Sequence, residues 1–157
     1  MQKKIVFYPN INFEETLVKK TETTPLLAQL QFVPLLFLRP EDLLLVSYLP
    51  NSEFITYLEM ILGRPVAQCI GVGDVSAGRF DELQYDFHSW GYTQEAAHIA
   101  DILQIHYLHP DFELVKYING KAFSFEQGKK LPGARLIQSK DELEHFVREV
   151  PGKKVCK

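Results

Sequence analysis

Between Leu43 and Val72 two compact apolar runs flank one helical face, and this alternation limits the fold more than any other feature of the chain. Leu43 to Tyr48 is the most hydrophobic segment and meets its first polar residue at Ser47. Such a run suits a strand covered on both faces of a sheet. Pro50-Asn51-Ser52 then opens a helix. Its apolar positions Phe54, Ile55, Leu58, Ile61 and Leu62 fall on one side of a 3.6-residue period. Gly63 and Pro65 close it, because glycine accepts the left-handed conformation after a helix and proline cannot continue one. Val66 to Val72 returns as a strand. Strands joined through a helix pair in parallel, so the unit predicts a crossover within a parallel sheet.

The flanking segments fit the same plan. Ile5, Val6 and Phe7 make a short buried strand stopped by Pro9-Asn10. Asn10 to Thr24 is poorly patterned and suits a long loop with some helix. Thr24-Pro25 opens a short helix through Leu30, and Val33 to Leu38 is an apolar run ended by the turn Arg39-Pro40-Glu41-Asp42. A strand is expected over Leu83–Phe87. Thr93 caps a helix with Ala96, Ile99, Ala100 and Leu103 on its face. His109-Pro110 marks a domain boundary. Beyond it, helices are expected over Phe112–Ile118 and Lys121–Lys130, and a strand over Ala134–Ile137. Ser139 with Glu142 forms a capping box before the apolar positions Leu143, Phe146, Val147 and Val150. Val155 and Cys156 begin a further strand.

Composition excludes several classes. Hydrophobic residues make up 46% and charged residues 24%, the balance of an ordinary globular chain, so disorder and coiled coil are excluded. A net charge of -3 supplies no field to draw the chain to nucleic acid or to an anionic membrane. The run Leu43 to Leu49 is far shorter than the ~20 residues a membrane span needs. The N-terminal apolar run is too short for a signal peptide. Cys69 and Cys156 are too few for a disulfide scaffold or a zinc cluster, and both are expected reduced, in a cytoplasmic protein.

Few residues carry chemistry by pattern alone. Gly71-Val72-Gly73-Asp74 follows a strand but lacks the third glycine of a dinucleotide loop. It is expected as a loop at the sheet's edge. Ligands of parallel sheets bind at the carboxyl ends of the strands. That rule makes Tyr48, Asn51, Asp74, Ser76, Arg79, Trp90 and Tyr92 the candidate rim of a substrate cleft. His98, His106 and His109 lie near one another without a carboxylate or thiol to complete a metal set, so no metal site is expected. Neither cysteine has a histidine placed beside it, and no serine sits in a Gly-x-Ser-x-Gly elbow.

The last third of the chain resembles the opening of an ATP-grasp module. Lys121, just after Asn119-Gly120, is similar to the helix-borne lysine that precedes the grasp fold. Leu131-Pro132-Gly133-Ala134-Arg135 looks like its Leu-Pro strand start, and Ser139 to Val147 its Ser-x-x-Glu-Leu helix. Val155-Cys156-Lys157 resembles its Val-x-Lys strand. The span from Gly128 to Leu131 is shorter than the family's linker. Upstream, Ser89-Trp90-Gly91-Tyr92 resembles a motif in the pre-ATP-grasp domain of such proteins. The resemblance implies an α/β fold: a Rossmann-like, mostly parallel sheet with helices on both faces over residues 1–109, then a small α+β segment over 110–157. It implies that Lys121 and Lys157 contact ATP phosphates. Fixed cations suit a triphosphate because they need little reorganisation. ATP and Mg²⁺ would belong to a longer parent ligase joining a carboxylate to an amine or thiol, and no cofactor would be held tightly by this part alone. The small-molecule substrate would likewise be met through the parent. The alternative is a stand-alone, non-catalytic α/β binding or interaction domain. Oligomeric state stays open.

Overall fold

The computed structural model describes residues 3–11, 13, 25–76, 80–81, 83–130, 132–149 and 152, with the side chains of residues 26, 27 and 121 outside the description. The chain divides into two units, residues 1–115 and 116–157.

The first unit is built on four parallel strands, β1 (Lys4–Tyr8), β2 (Leu43–Val46), β3 (Gln68–Gly71) and β4 (Tyr85–Ser89), in the order β3-β2-β1-β4. Register is fixed by pairs such as Val6 with Leu43, Val6 with Phe87, and Leu45 with Ile70. The fold is therefore α/β with an all-parallel, Rossmann-like sheet, as expected. Period-two alternation sends successive side chains to opposite faces. On one face Val6, Tyr8, Leu43, Leu45, Ile70 and Phe87 join one buried cluster. On the other, Leu44 and Val46 join a second.

Each face has its own cover. Helix α1 (Pro25–Leu30) precedes a 3-10 turn, Val33–Leu36. Leu35 and Leu38 pack beneath the second face together with Leu58 of α2 (Ser52–Leu62). The Asn51 side chain accepts a 2.7 Å hydrogen bond from the Phe54 amide, and Gly63 ends α2 at φ 63°. Helix α3 (Gln94–Leu103) covers the first face through Ala96, Ile99, Ala100 and Leu103, all buried as its periodicity predicts. Its cap is Thr93, whose hydroxyl accepts from the Ala96 amide at 3.1 Å.

Three strands differ from expectation. β3 spans Gln68–Gly71 rather than Val66 to Val72, and the Val66 amide donates to Glu59 Oε1 at 3.3 Å instead of to a strand. β2 stops at Val46 because the Ser47 amide donates to Gln31 Oε1 at 2.7 Å rather than to a strand. β4 starts two residues late because Asp81 organises a turn before it. The Leu83 amide donates to Asp81 Oδ1 at 2.9 Å, and the Gln84 and Tyr85 amides donate to the Asp81 carbonyl at 2.9 and 3.1 Å.

A buried carboxylate ties β1 to β2. Arg39 to Asp42 form a β-turn closed by the Asp42 amide on the Arg39 carbonyl at 3.0 Å. Asp42 Oδ1 accepts from the Ile5 amide at 2.8 Å and from Arg39 Nη2 at 2.8 Å. Oδ2 accepts from the Arg39 amide at 2.9 Å and from Arg39 Nε at 3.1 Å.

Helix α4 (Phe112–Ile118) runs across the division between the units. The second unit adds α5 (Lys121–Gln127) and α6 (Lys140–Glu149). The capping box at the start of α6 forms: Ser139 Oγ accepts from the Glu142 amide at 3.2 Å, and Glu142 Oε2 accepts from the Gln138 amide at 2.8 Å. The expected strand at Ala134–Ile137 is absent. No strand is formed among the described residues after Ser89, and a strand without a neighbour leaves its backbone groups unpaired. No described residue from Lys116 onward is buried, and Val147 on the apolar side of α6 is 51% exposed.

Candidate functional site

The strand order sets where a site can lie. The β2–β3 connection runs over one face through α2, whereas Val72, Val75 and Phe80 of the β3–β4 connection pack on the other. The direction of winding therefore reverses between β1 and β4, and the carboxyl ends of those strands form the topological switch point.

Asn10 knits this switch point together. It follows β1 after Pro9 and is only 2% exposed. Its Nδ2 donates to the Gly91 carbonyl at 2.7 Å and to Thr93 Oγ1 at 3.2 Å, while its Oδ1 accepts from the Gly91 amide at 2.9 Å. Ser89 Oγ also donates to the Gly91 carbonyl, at 2.8 Å, and the Ser89 and Tyr107 hydroxyls are hydrogen-bonded. The Trp90 amide extends the β1 ladder by donating to the Tyr8 carbonyl at 3.2 Å. A Cβ on Gly91 would run into the ring of Phe13, so glycine is required there by close approach. Beneath, the Tyr8 phenol is pushed well up by burial, with the adjacent Glu95 carboxylate adding to the shift.

Outside the clamp lies an aromatic rim. Trp90 and Tyr92 are 48% and 44% exposed. The Phe7 ring meets Trp90 edge-on at 6.4 Å. Tyr92 stacks on Tyr107 at 6.0 Å, and Tyr107 meets Phe87 edge-on at 5.0 Å. A groove of about 390 Å³ opens between β4 and the segment from His106 to Leu108.

The other expected rim residues also follow strand ends. Tyr48, after β2, is 45% exposed and rests edge-on against Phe32 at 5.4 Å. Asn51 is committed to the α2 cap. After β3, Asp74 folds back over Gly71, where a Cβ would meet Asp74 Oδ2 at 2.7 Å, and Ser76 is exposed. Among the described residues β3 is followed by a 3-10 turn, Val72–Asp74, and no long helix starts there to face a pyrophosphate. Arg79 and Lys157 lie outside the described residues, as do Cys156 and the side chain of Lys121.

Burial pushes the Cys69 thiol up to about 11, which leaves it a packing group rather than a nucleophile. His109 stacks on Phe112 at 4.5 Å. Among the described residues no group of three or more histidines, cysteines or carboxylates could hold a metal ion. Several described cations of the second unit are already engaged: Arg135 with Glu149 at 3.6 Å, and Lys140 and Arg148 with Glu144 at 3.8 and 3.4 Å. The described residues thus hold no ligand group for the Mg²⁺ of a nucleotide.

Asn10, Ser89 and Tyr107 were not among the sequence candidates. Asn10 carries one signal, a polar amide directly after the first strand, but Pro9-Asn10 by itself indicates only a turn. The pairing of Ser89 with Tyr107 crosses a helix and has no sequence signature.

No helix among the described residues is long and apolar enough to cross a membrane. Comparison of the chain with protein-family models, with curated proteins and with solved structures finds no match.

Proposed function

We propose that this chain is the substrate-side, N-terminal part of an ATP-grasp ligase that joins a carboxylate to an amine or thiol. The observation that carries the reading is the β1/β4 switch point. Its clamp at Asn10 and Gly91 holds Trp90 and Tyr92, two residues of the resembling motif, at the carboxyl ends of a parallel sheet. That is where an acceptor would meet this domain. The second unit supports it differently. The capped α6 has an apolar side of which Leu143 and Phe146 are only half-buried and Val147 is exposed, as suits a helix that packs on a grasp sheet.

In this reading Lys121 and Lys157 meet the ATP phosphates, and the Mg²⁺ ligands come from chain that follows Lys157. Bound ATP and Mg²⁺ would supply carboxylate activation as an acyl phosphate. The residues described here would bind and orient the acceptor. The proposal is tested by calorimetric titration of Mg-ATP into the 157-residue chain. The expected result is no binding tighter than a Kd of about 1 mM. Micromolar binding, about −8 kcal/mol, would contradict the assignment of most of the nucleotide site to other residues.

A stand-alone, non-catalytic binding module is the second reading. The observation favouring it is that the first unit has its own core on both faces of the sheet.

A further inference from the structure

After α3 the chain returns to the edge of the sheet without joining it. β4 is an edge strand, and α3 brings residues 105–108 back beside it. A strand reached through a helix in this way runs parallel to the one it left. Burial alternates along the segment: Ile105 is buried and Tyr107 packs on the same cluster, whereas His106 and Leu108 are exposed. That is the period of a strand, and its inner side is the face that Phe87 shares. Side chains already bridge the two. The Tyr107 ring meets Phe87 at 5.0 Å, and the Tyr107 and Ser89 hydroxyls are hydrogen-bonded. The backbones do not meet. Among the described residues no main-chain hydrogen bond joins 105–108 to β4, and the groove of about 390 Å³ lies between them.

The groups that face this groove can be derived. The Lys4 amide donates to the Gln84 carbonyl and the Trp90 amide to the Tyr8 carbonyl, so even-numbered residues of β4 turn their backbone to β1. Phe87 and Ser89 turn theirs outward. The ring contact sets Tyr107 opposite Phe87, with its side chain leaning along the strand to Ser89. In that register the Phe87 amide reaches the His106 carbonyl, and the Leu108 amide reaches the Phe87 carbonyl. The His106 amide reaches the Tyr85 carbonyl, and the Ser89 amide the Leu108 carbonyl. The ladder then stops, because the next donor would be Pro110, which has no N–H.

We propose that residues 105–108 are a strap that docks on β4 as a fifth parallel strand and, in doing so, closes the edge groove. Docking exchanges hydrated backbone groups for four main-chain bonds and orders four residues. These opposing terms are of similar size, so the open and closed states lie close in free energy. The strap is tethered to the switch point, because Ser89 Oγ also donates to the Gly91 carbonyl that Asn10 holds. The inference does not rest on the ligase reading, since it uses only β4 and the segment that follows α3.

The test is amide hydrogen exchange, read by NMR on the intact chain. The Phe87, Ser89, His106 and Leu108 amides are expected to exchange about tenfold more slowly than unstructured chain, and the Tyr107 amide, which turns away from β4, at the unstructured rate. Leu108 is 80% exposed, so its side chain contributes little. Leu108→Pro removes one donor of the ladder and is expected to abolish the slowing at Phe87, Ser89 and His106, whereas Leu108→Ala keeps it. The Asp86 and His88 amides, bonded to β1, stay protected in both variants and report an intact sheet. Unstructured rates at His106 and Leu108 in the parent chain would overturn the proposal, as would equal slowing at Tyr107 or slowing that survives Leu108→Pro. So would slowing at Phe87 and Ser89 alone that grows with protein concentration, since a second copy would then cover the edge.

Discussion

Asp42→Ala lowers the stability of the first unit by about 3 kcal/mol, or about 10 °C in melting temperature. Asp42 is 2% exposed and accepts four hydrogen bonds, two from backbone amides and two from the Arg39 guanidinium. Removing the carboxylate leaves the Ile5 and Arg39 amides without their acceptor. The effect depends on pH with a definite sign. Burial pushes the Asp42 carboxyl up, but the hydrogen bonds from Arg39, Ile5 and the Arg39 amide outweigh it and hold the group below its ordinary 3.8. The folded state thus binds this proton less readily than the unfolded state. Its contribution is complete above the ordinary value and is lost as the pH falls through the lowered one. Denaturant melts of the parent and Asp42→Ala at about pH 7 and about pH 3 are expected to differ less at the lower pH. A gap that is unchanged or wider at low pH would show that the ionised carboxylate is not what stabilises the turn.

Asn10→Ala costs about 2–3 kcal/mol, because it removes three hydrogen bonds and leaves the Gly91 amide without its acceptor. Its effect is also local, since the ends of β1 and β4 are held together there. Trp90, the single tryptophan, follows β4 directly and reports it, so its fluorescence is expected to change before global unfolding. Asn10→Asp separates the two halves of the amide. A carboxylate can still accept from the Gly91 amide but loses the Nδ2 donor and repels the Gly91 carbonyl. The new carboxyl is therefore pushed up, and the variant is expected to lose stability as the pH rises from about 4 to about 7. Equal stability at both pH values would mean that the Nδ2 bonds contribute nothing.

The sheet was legible because its signals are local and redundant. Leu43 to Val46 had an uninterrupted apolar run, and Asn51 and Gly63 marked both ends of α2. Thr93 and the Ala96, Ile99, Ala100 and Leu103 face did the same for α3. What failed was what depends on partners. Ala134–Ile137 has strand-like residues but no strand beside it, and Leu83 was taken from the strand by a turn centred on Asp81. The rim positions after β2, β3 and β4 could be located from topology alone. Whether they face a ligand could not: Asn51, both a rim candidate and the start of α2, spends its side-chain oxygen on the helix cap. The Asn10–Gly91 clamp joins residues 81 positions apart, and nothing in either local sequence announces the other.

In the proposed ligase Lys157 would meet the ATP phosphates, and the groups that complete the nucleotide site would come from other chain. The most direct measurement is the sequence of the reading frame beyond the Lys157 codon. The expected result is an open frame leading into a glycine-rich loop and then to acidic or asparagine metal ligands. A stop codon immediately after Lys157 would contradict it.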